Sequence, residues 1–193
     1  MELSFIINNP IESPQAEADK AKREANITGG LVEDEYGDEV YIISKISDSL
    51  LKIILQYYDN ILASEDHILP LEGGLWLEHE GESIYPQCCG ELNDYSNWQE
   101  MMENPFETWH ILWIGHPCVY YCMKDDLLYL SDYQEPDNFP EEENIKFTFQ
   151  RQLFLDQLST GLKEIEIFKQ RISRIVDEEN FRHKEVLKSS LII

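Results

Sequence analysis

Basic residues are nearly absent from the middle of this 193-residue chain. Residues 33–143 hold 26 Asp and Glu but only three basic side chains, Lys45, Lys52 and Lys124. The 32 residues before this segment carry −2 and the 50 residues after it carry +2, so the formal net charge of −23 comes from the middle. A field of that sign repels nucleic acid and anionic lipid and attracts cations. We therefore expect a cationic partner and no nucleic acid or membrane.

Long apolar runs and targeting signals are also missing. No run approaches the roughly 18 apolar residues that a membrane-spanning helix needs. The first seven residues lack the basic stretch of a signal peptide and continue into polar sequence, so we expect a cytoplasmic protein. Apolar residues make up 42% of the chain and aromatic residues 11%, which indicates a globular fold rather than disorder.

Metal-binding and phosphate-binding motifs are absent as well. The four cysteines, Cys88, Cys89, Cys118 and Cys122, do not form a Cys-x-x-Cys pair. If Cys118 and Cys122 share a strand, they lie about 13 Å apart along it, too far to share a metal ion or a disulfide. Gly29-Gly30 and Gly73-Gly74 match neither the P-loop nor the dinucleotide-binding pattern. We predict no metal and no cofactor, and four free thiols that are mostly buried.

The spacing of apolar residues predicts the elements of the first half. A short strand covers residues 2–7, and Ser13-Pro14 is typical of a helix start, with a surface helix over 15–26. A strand follows over 40–46 and a helix over 48–63. Apolar residues repeat along that helix at intervals of three and four, which predicts one buried face.

From Gly73-Gly74 onward the apolar period becomes that of strands. Residues 75–79 and 83–85 predict a hairpin, and residues 96–103 a short helix. Strands over 109–114, 118–124 and 127–132 predict an antiparallel meander. Residues 133–146 read as an acidic connection, and the remainder as a long helix that Gly161 can bend or split. The tail from residue 177 is predicted to be a further helix or an irregular end.

These elements together predict an α+β fold in a single domain. We expect a single antiparallel sheet between about residues 40 and 132, with the helix over 48–63 packed on it and a long C-terminal helix closing the core. Residues 1–32 form an N-terminal strand and surface helix, 33–143 an acidic, sheet-rich core, and 144–193 a helical segment.

Acidic loops and aromatic residues crowd into the same part of the chain. Rim charges that steer a partner and central aromatic side chains that hold it are typical of protein-binding surfaces. The same charge also serves solubility. We predict a surface for a cationic protein formed by Glu33, Asp34, Glu35, Glu78, Glu80, Glu82, Glu91, Asp94 and Trp76.

Two other classes of function remain open. A cysteine/histidine-dependent hydrolase would use Cys88 or Cys89 as nucleophile and His116 as base. Negative charge nearby raises the pKa of a thiol and so argues against this hypothesis. A small-molecule-binding regulatory domain would need an apolar pocket lined by the tryptophans. We favour a protein that is not an enzyme.

The run LPLEGGLW at residues 69–76 lies between a helix and a meander, and helices close the chain. This arrangement resembles the SUKH superfamily of bacterial immunity proteins, over about residues 47–175. The resemblance implies a protein without chemistry of its own that binds and neutralises a toxin, often a nuclease. Our leading hypothesis is a non-catalytic protein that neutralises or sequesters a cationic partner such as a bacterial toxin.

Overall fold

A computed structural model describes residues 1–10, 31–33, 39–64, 68 and 70–191. The predicted surface helix over 15–26 lies outside the described residues. Asp34 and Glu35 of the predicted partner surface also lie outside them, and of Glu33 only the backbone position is described.

The described residues contain nine strands and four α-helices. The first half contains β1 (Glu2–Asn8), β2 (Leu31–Glu33), β3 (Glu39–Ile42), α1 (Asp48–Ile61), β4 (Gly73–His79) and β5 (Glu82–Ile84). The second half contains α2 (Tyr95–Glu103), β6 (His110–Leu112), β7 (Val119–Lys124), β8 (Leu127–Ser131), β9 (Ile145–Gln150), α3 (Arg151–Glu178) and α4 (Lys184–Leu191). The predicted α+β class, with antiparallel strands and a long C-terminal helix, is confirmed.

The strands form two sheets, so the prediction of a single sheet was wrong. One sheet has the order β2-β3-β1-β4-β5 and the other the order β6-β7-β8-β9. The hairpin of β4 and β5 ends the first sheet, and the chain then enters a turn and α2 before the next strand begins. Strands β6 to β9 pair only with their sequence neighbours, because each is joined to the next by a connection that returns antiparallel.

Strand β9 was missed, since its residues were divided between the predicted connection and the predicted helix. It pairs with β8 in a register that places Leu128 opposite Phe149. Phe147 and Phe149 are buried while Thr148 and Gln150 are exposed, which is the alternation of a strand with one face on a core. The signal was present in the sequence, but it spans only a few residues next to a strong helical pattern.

The described chain divides into two compact units, each built from separated stretches of sequence. Unit 1 comprises Met1–Phe5 and Gly73–Lys163, and unit 2 comprises Ile6–Glu72 and Glu164–Ile193. Strand β1 and helix α3 contribute residues to both units. We describe each unit separately.

Aromatic side chains build the core of unit 1. Trp98 of α2 is buried and stacks on Phe154 of α3, with ring centroids 6.3 Å apart, and Phe149 of β9 stacks on the same Phe154 ring at 5.4 Å. Gly161 does not interrupt α3. A Cβ atom there would lie 3.1 Å from the Phe5 ring, so the glycine allows α3 to pack closely against this residue of β1.

Helix α1 organises unit 2, as its apolar period predicted. Ser47 is the N-cap and its hydroxyl accepts a hydrogen bond from the Leu50 amide at 3.2 Å. The predicted strand over 40–46 is shorter in the structure, because a turn begins directly after Ile42. The tail forms α4, one of the two outcomes that the sequence left open.

None of the helices in the described part of the chain combines the length and the apolarity that crossing a bilayer requires.

Candidate functional site: three adjoining loops of unit 1

Three loops of unit 1 meet through their backbones, and we call residues 86–90, 114–117 and 132–143 the loop cluster. The Gln87 amide donates to the Ile114 carbonyl at 2.8 Å, and the His116 amide donates to the Cys88 carbonyl at 2.8 Å. Directly after residues 114–117, Cys118 and Gln134 exchange amide–carbonyl hydrogen bonds at 3.1 and 2.7 Å. The corner at 114–117 therefore lies between the other two loops and links them.

Glycine permits this close approach. Gly115 has a φ of +105°, and a Cβ atom there would lie 2.4 Å from the Gln87 carbonyl oxygen. A Cβ atom at Gly90 would lie 2.7 Å from the Ile114 oxygen. Because no side chain fits in either place, the first two loops are in direct backbone contact.

The side chains of Cys88 and Cys89 are exposed at this turn. Their sulfurs lie 3.4 Å apart, and Cys89 has a left-handed φ of +65°. The prediction of mostly buried thiols was therefore wrong for this pair. The backbone of the turn forms its hydrogen bonds with Ile114 and His116, and both thiols face solvent.

His116 is oriented by a carboxylate. Its Nε2 lies 2.8 Å from Oε2 of Glu135, with both side chains about half exposed. Cys88 and His116 oppose each other in an antiparallel bridge, so their side chains leave the backbone on the same side. The structure thus brings together the residues of the predicted hydrolase, with the Cys88 sulfur in contact with that of Cys89 and the imidazole in contact with Glu135. The hydrolase stays a prediction.

The other two cysteines are of a different kind. Cys118 is buried and its thiol donates to the Gln134 carbonyl at 3.3 Å; burial, with a smaller effect of Glu135, raises its pKa. Cys122 donates to the Glu107 carbonyl at 3.1 Å, and partial burial raises its pKa as well. Among the described residues, no three or more His, Cys, Asp or Glu side chains are grouped so that they could hold a metal ion.

The third loop of the cluster is acidic and presents an aromatic ring. Glu135, Asp137, Glu142 and Glu143 are exposed, and so is 70% of Phe139 between them. Buried Tyr120 supports this loop through two contacts. Its hydroxyl donates to the Pro136 carbonyl, and its ring centroid lies 5.5 Å from that of Phe139. Glu141 and Asn144 form a reciprocal capping box at its end. We call residues 135–143 the acidic loop.

The predicted partner residues on the hairpin of β4 and β5 divide between two faces. Glu78, Glu80 and Glu82 are all exposed. Trp76 and Glu78 lie two residues apart on one strand and share a face, whereas Glu82 is paired with His79 and lies on the other. These carboxylates add to the field of unit 1 without forming one patch.

Glu91 and Asp94 serve the backbone near them. They form a capping box in which an Asp94 oxygen accepts the Glu91 amide at 2.9 Å, and Asp94 also accepts from the Asn97 side chain at 3.4 Å. Burial raises the Asp94 pKa, and these two hydrogen bonds oppose the rise. Both carboxylates are half-buried, and they cap the short helical turn Leu92–Asp94.

Unit 1 contains 18 acidic residues and four Lys or Arg. Among the residues that the structure describes, its one contact between a Lys or Arg and a carboxylate joins Lys146 to Asp132 at 3.3 Å. The same Lys146 lies over the Tyr133 ring, 5.3 Å from the centroid. The remaining carboxylates of the unit therefore act together as a negative field.

Neither a protein-family model nor a curated protein nor a solved structure significantly matches the chain. The resemblance to the SUKH superfamily stays a prediction, and the geometry of unit 1 carries the functional argument.

Proposed function

We propose that the protein binds a cationic protein through the acidic loop of unit 1 and catalyses no reaction. One observation carries this proposal: Phe139 is 70% exposed in the middle of exposed carboxylates. Single exposed apolar residues are common on protein surfaces. The argument rests on the position of this ring, with Glu135 and Asp137 before it and Glu142 and Glu143 after it.

A ring surrounded by charges matches the organisation of protein interfaces. A few aromatic side chains supply most of the binding energy there, and the charged rim governs the rate of encounter and the choice of partner. A partner with an apolar recess among Lys and Arg side chains fits this loop. A basic toxin or nuclease, as the SUKH resemblance implies, is one partner of that chemistry.

The acidic loop is held in place before a partner arrives. Its start is bridged to Cys118 through Gln134, its middle rests on Tyr120, and its end is closed by the capping box of Glu141 and Asn144. A loop that is already ordered loses less conformational entropy on binding, which favours affinity.

The hairpin carboxylates contribute to steering. Reversing the charge at Glu78, Glu80 and Glu82 together should slow association with the partner strongly at low salt and little at high salt, because salt screens exposed charges. An unchanged association rate at low salt would place the contact surface away from the field of unit 1.

Two triple variants with equal charge separate a local site from total charge. Asp137→Asn/Glu142→Gln/Glu143→Gln neutralises the acidic loop, and Glu100→Gln/Glu103→Gln/Glu107→Gln neutralises three exposed carboxylates elsewhere in unit 1. Each is used as an immobilised bait for an extract of the source cells, beside the unaltered protein and Phe139→Ser.

We expect one basic protein to be captured in stoichiometric amount by the unaltered bait and by the Glu100/Glu103/Glu107 variant. The acidic-loop variant and Phe139→Ser should lose it. Equal capture by all four baits would contradict a site at the acidic loop. Equal loss from the two triple variants would show that total charge, and not this loop, governs binding. The captured protein is then purified and its dissociation constants for the four forms are compared.

A further inference from the structure

We propose that Cys88 and Cys89 form a reversible redox site, in which a small disulfide compound such as oxidised glutathione converts the two thiols into a disulfide between these neighbours. The site lies in the loop cluster, but the proposal does not depend on the protein-binding function.

The two sulfurs are already in contact. They lie 3.4 Å apart on exposed side chains, and a disulfide bond is about 2.05 Å long, so a further approach of about 1.4 Å brings them to bonding distance. Exposure also admits an external oxidant, which a buried thiol excludes. Two accessible thiols in contact meet the requirements for successive exchange reactions.

The turn holds the cysteines in this arrangement. Hydrogen bonds from the Gln87 amide to Ile114 and from the His116 amide to Cys88 pin the first part of the turn, each at 2.8 Å. The Gly90 amide closes the turn by donating to the Gln87 carbonyl at 2.8 Å. Because these hydrogen bonds hold the backbone on both sides of the pair, the two thiols lie beside each other in the reduced protein.

Cys118 and Cys122 provide an internal contrast. Both thiols donate to backbone carbonyls, and both have a raised pKa, which lowers the thiolate fraction that reacts. They lie four residues apart, one directly before β7 and the other within it, and so do not meet. Reactivity should therefore be confined to Cys88 and Cys89.

A bond between sequence neighbours is strained and therefore reversible. Adjacent Cα atoms are about 3.8 Å apart across a trans peptide, whereas disulfides usually join Cα atoms about 4.4–6.8 Å apart. Strained, exposed disulfides have more oxidising potentials than structural ones and are reduced readily by thiols. This pair suits a responsive site better than a permanent cross-link.

The reaction balances in two exchange steps. The thiolate of one cysteine attacks a sulfur of the oxidised glutathione, which forms a mixed disulfide and releases one glutathione. The second protein thiolate attacks the protein sulfur of the mixed disulfide and releases the other glutathione. The two protons from the cysteines end on the two released thiols, and the protein loses the two electrons that the oxidant gains.

The test incubates the folded 193-residue chain with oxidised glutathione and measures intact and peptide masses. We expect the unaltered protein to lose two hydrogens with no glutathione retained, in the peptide that carries both cysteines. Cys88→Ser and Cys89→Ser should each accumulate one glutathione adduct, because the resolving thiol is gone. Cys122→Ser, the matched control, should behave as the unaltered protein does.

Three results would overturn the proposal: stable glutathione adducts on Cys88 or Cys89 of the unaltered protein, no oxidation of either cysteine, or preferential modification of Cys122. A second measurement uses phenylarsine oxide, which requires two neighbouring thiols. It should bind the unaltered protein at one equivalent and bind each single serine variant at least tenfold more weakly. Equal binding to all forms would also contradict a paired site.

Discussion

The two units of the molecule use charge in opposite ways. In the described part of unit 2, carboxylates contact cations: Asp48 contacts Arg171 and Arg174, and Asp177 contacts Lys188 at 2.6 Å. In unit 1 most carboxylates face solvent, and Lys146 supplies the one Lys or Arg contact found among described residues. Ion pairs in unit 2 connect its secondary-structure elements, whereas the carboxylates of unit 1 create an external field. Net charge alone does not distinguish the two uses.

Two acidic residues show how unit 2 uses its charge. The Arg171 guanidinium binds Asp48 at 2.8 and 2.9 Å and also donates to the Ile43 and Ile46 carbonyls, tying α3 to the start of α1. Asp59 is only 3% exposed and accepts the amides of Arg182 and His183 as well as His183 Nδ1 at 3.0 Å. Asp48 therefore joins α1 to α3, and Asp59 joins α1 to the connection between α3 and α4.

The largest effect is expected at the corner of the loop cluster. Gly115→Ala adds a Cβ atom 2.4 Å from the Gln87 oxygen at a φ of +105°, and should destabilise the protein by about 4 kcal/mol through strain and overlap. Gly81→Ala is the matched control, since Gly81 has a φ of +85° but no atom near its added Cβ. It should cost about 1 kcal/mol. Urea unfolding measures both, and equal costs would show that the loops do not touch.

The next largest loss of stability is expected when the buried carboxylate of Asp59 is removed. Asp59→Ala leaves the amides of Arg182 and His183 without their acceptor and should destabilise the protein by about 3 kcal/mol. Asp177→Ala removes an exposed partner of Lys188 and should cost about 0.5 kcal/mol or less. If the two substitutions were equally mild in urea unfolding, the role of Asp59 in unit 2 would be disproved.

Lowering the pH should have opposite effects on the contributions of Asp48 in unit 2 and Asp94 in unit 1 to the free energy of unfolding. Hydrogen bonding to Arg171 is the largest influence on Asp48 and lowers its pKa, so its stabilising effect is present above the unfolded pKa of about 3.9 and is lost as pH falls through the folded pKa. Burial raises the pKa of Asp94, so folding gains from its protonation as pH falls towards about 4.

Unfolding free energies between pH 7 and pH 3 test this difference with two variants. The stability advantage of the unaltered protein over Asp48→Asn should shrink below about pH 4, because the Asp48 carboxylate then takes up a proton in the unfolded chain while it stays ionised in the folded protein. The unfolding free energy of the unaltered protein relative to that of Asp94→Asn should increase as the pH falls from 7 to about 4. Parallel curves for the two variants would contradict the contrast between the units.

The smallest effect is expected at the acidic loop. Glu142→Gln and Glu143→Gln remove exposed charges and should each change the free energy of unfolding by less than about 0.5 kcal/mol. Glu103→Gln provides the exposed control outside the loop. A loss above 1 kcal/mol at Glu142 or Glu143 would mean that the loop charges maintain the fold, as those of unit 2 do.

Much of the local structure could be predicted because it depends on neighbouring residues. The face of α1 that includes Leu50 and Ile54, the hairpin of β4 and β5, and the meander of β6 to β8 follow from apolar spacing and turn residues. Strand β9 was missed because its short alternation directly precedes the pattern of α3. The division into two sheets depends on which strands pair at a distance, which no local pattern records.

The residue composition of the candidate site could be predicted from the sequence, but the spatial arrangement of its residues could not. The acidic, proline-marked connection over 133–146 was evident, and within it Phe139 is an exposed ring. The capping roles of Glu91 and Asp94 could be suspected from their spacing of three residues. The exposure of Cys88 and Cys89 could not, because adjacent cysteines are equally compatible with a buried turn.

Residue type and local spacing were enough to predict the class of the fold, the positions of the main helices and the sign of the field around residues 33–143. Which carboxylates are neutralised and which loops meet depends on the folding of distant segments onto each other. The contact between Cys88 and His116 spans 28 positions of chain and exists because Gly115 lets two backbones approach. Such proximity is a property of the folded chain, because it arises when distant segments are brought together by a shared core.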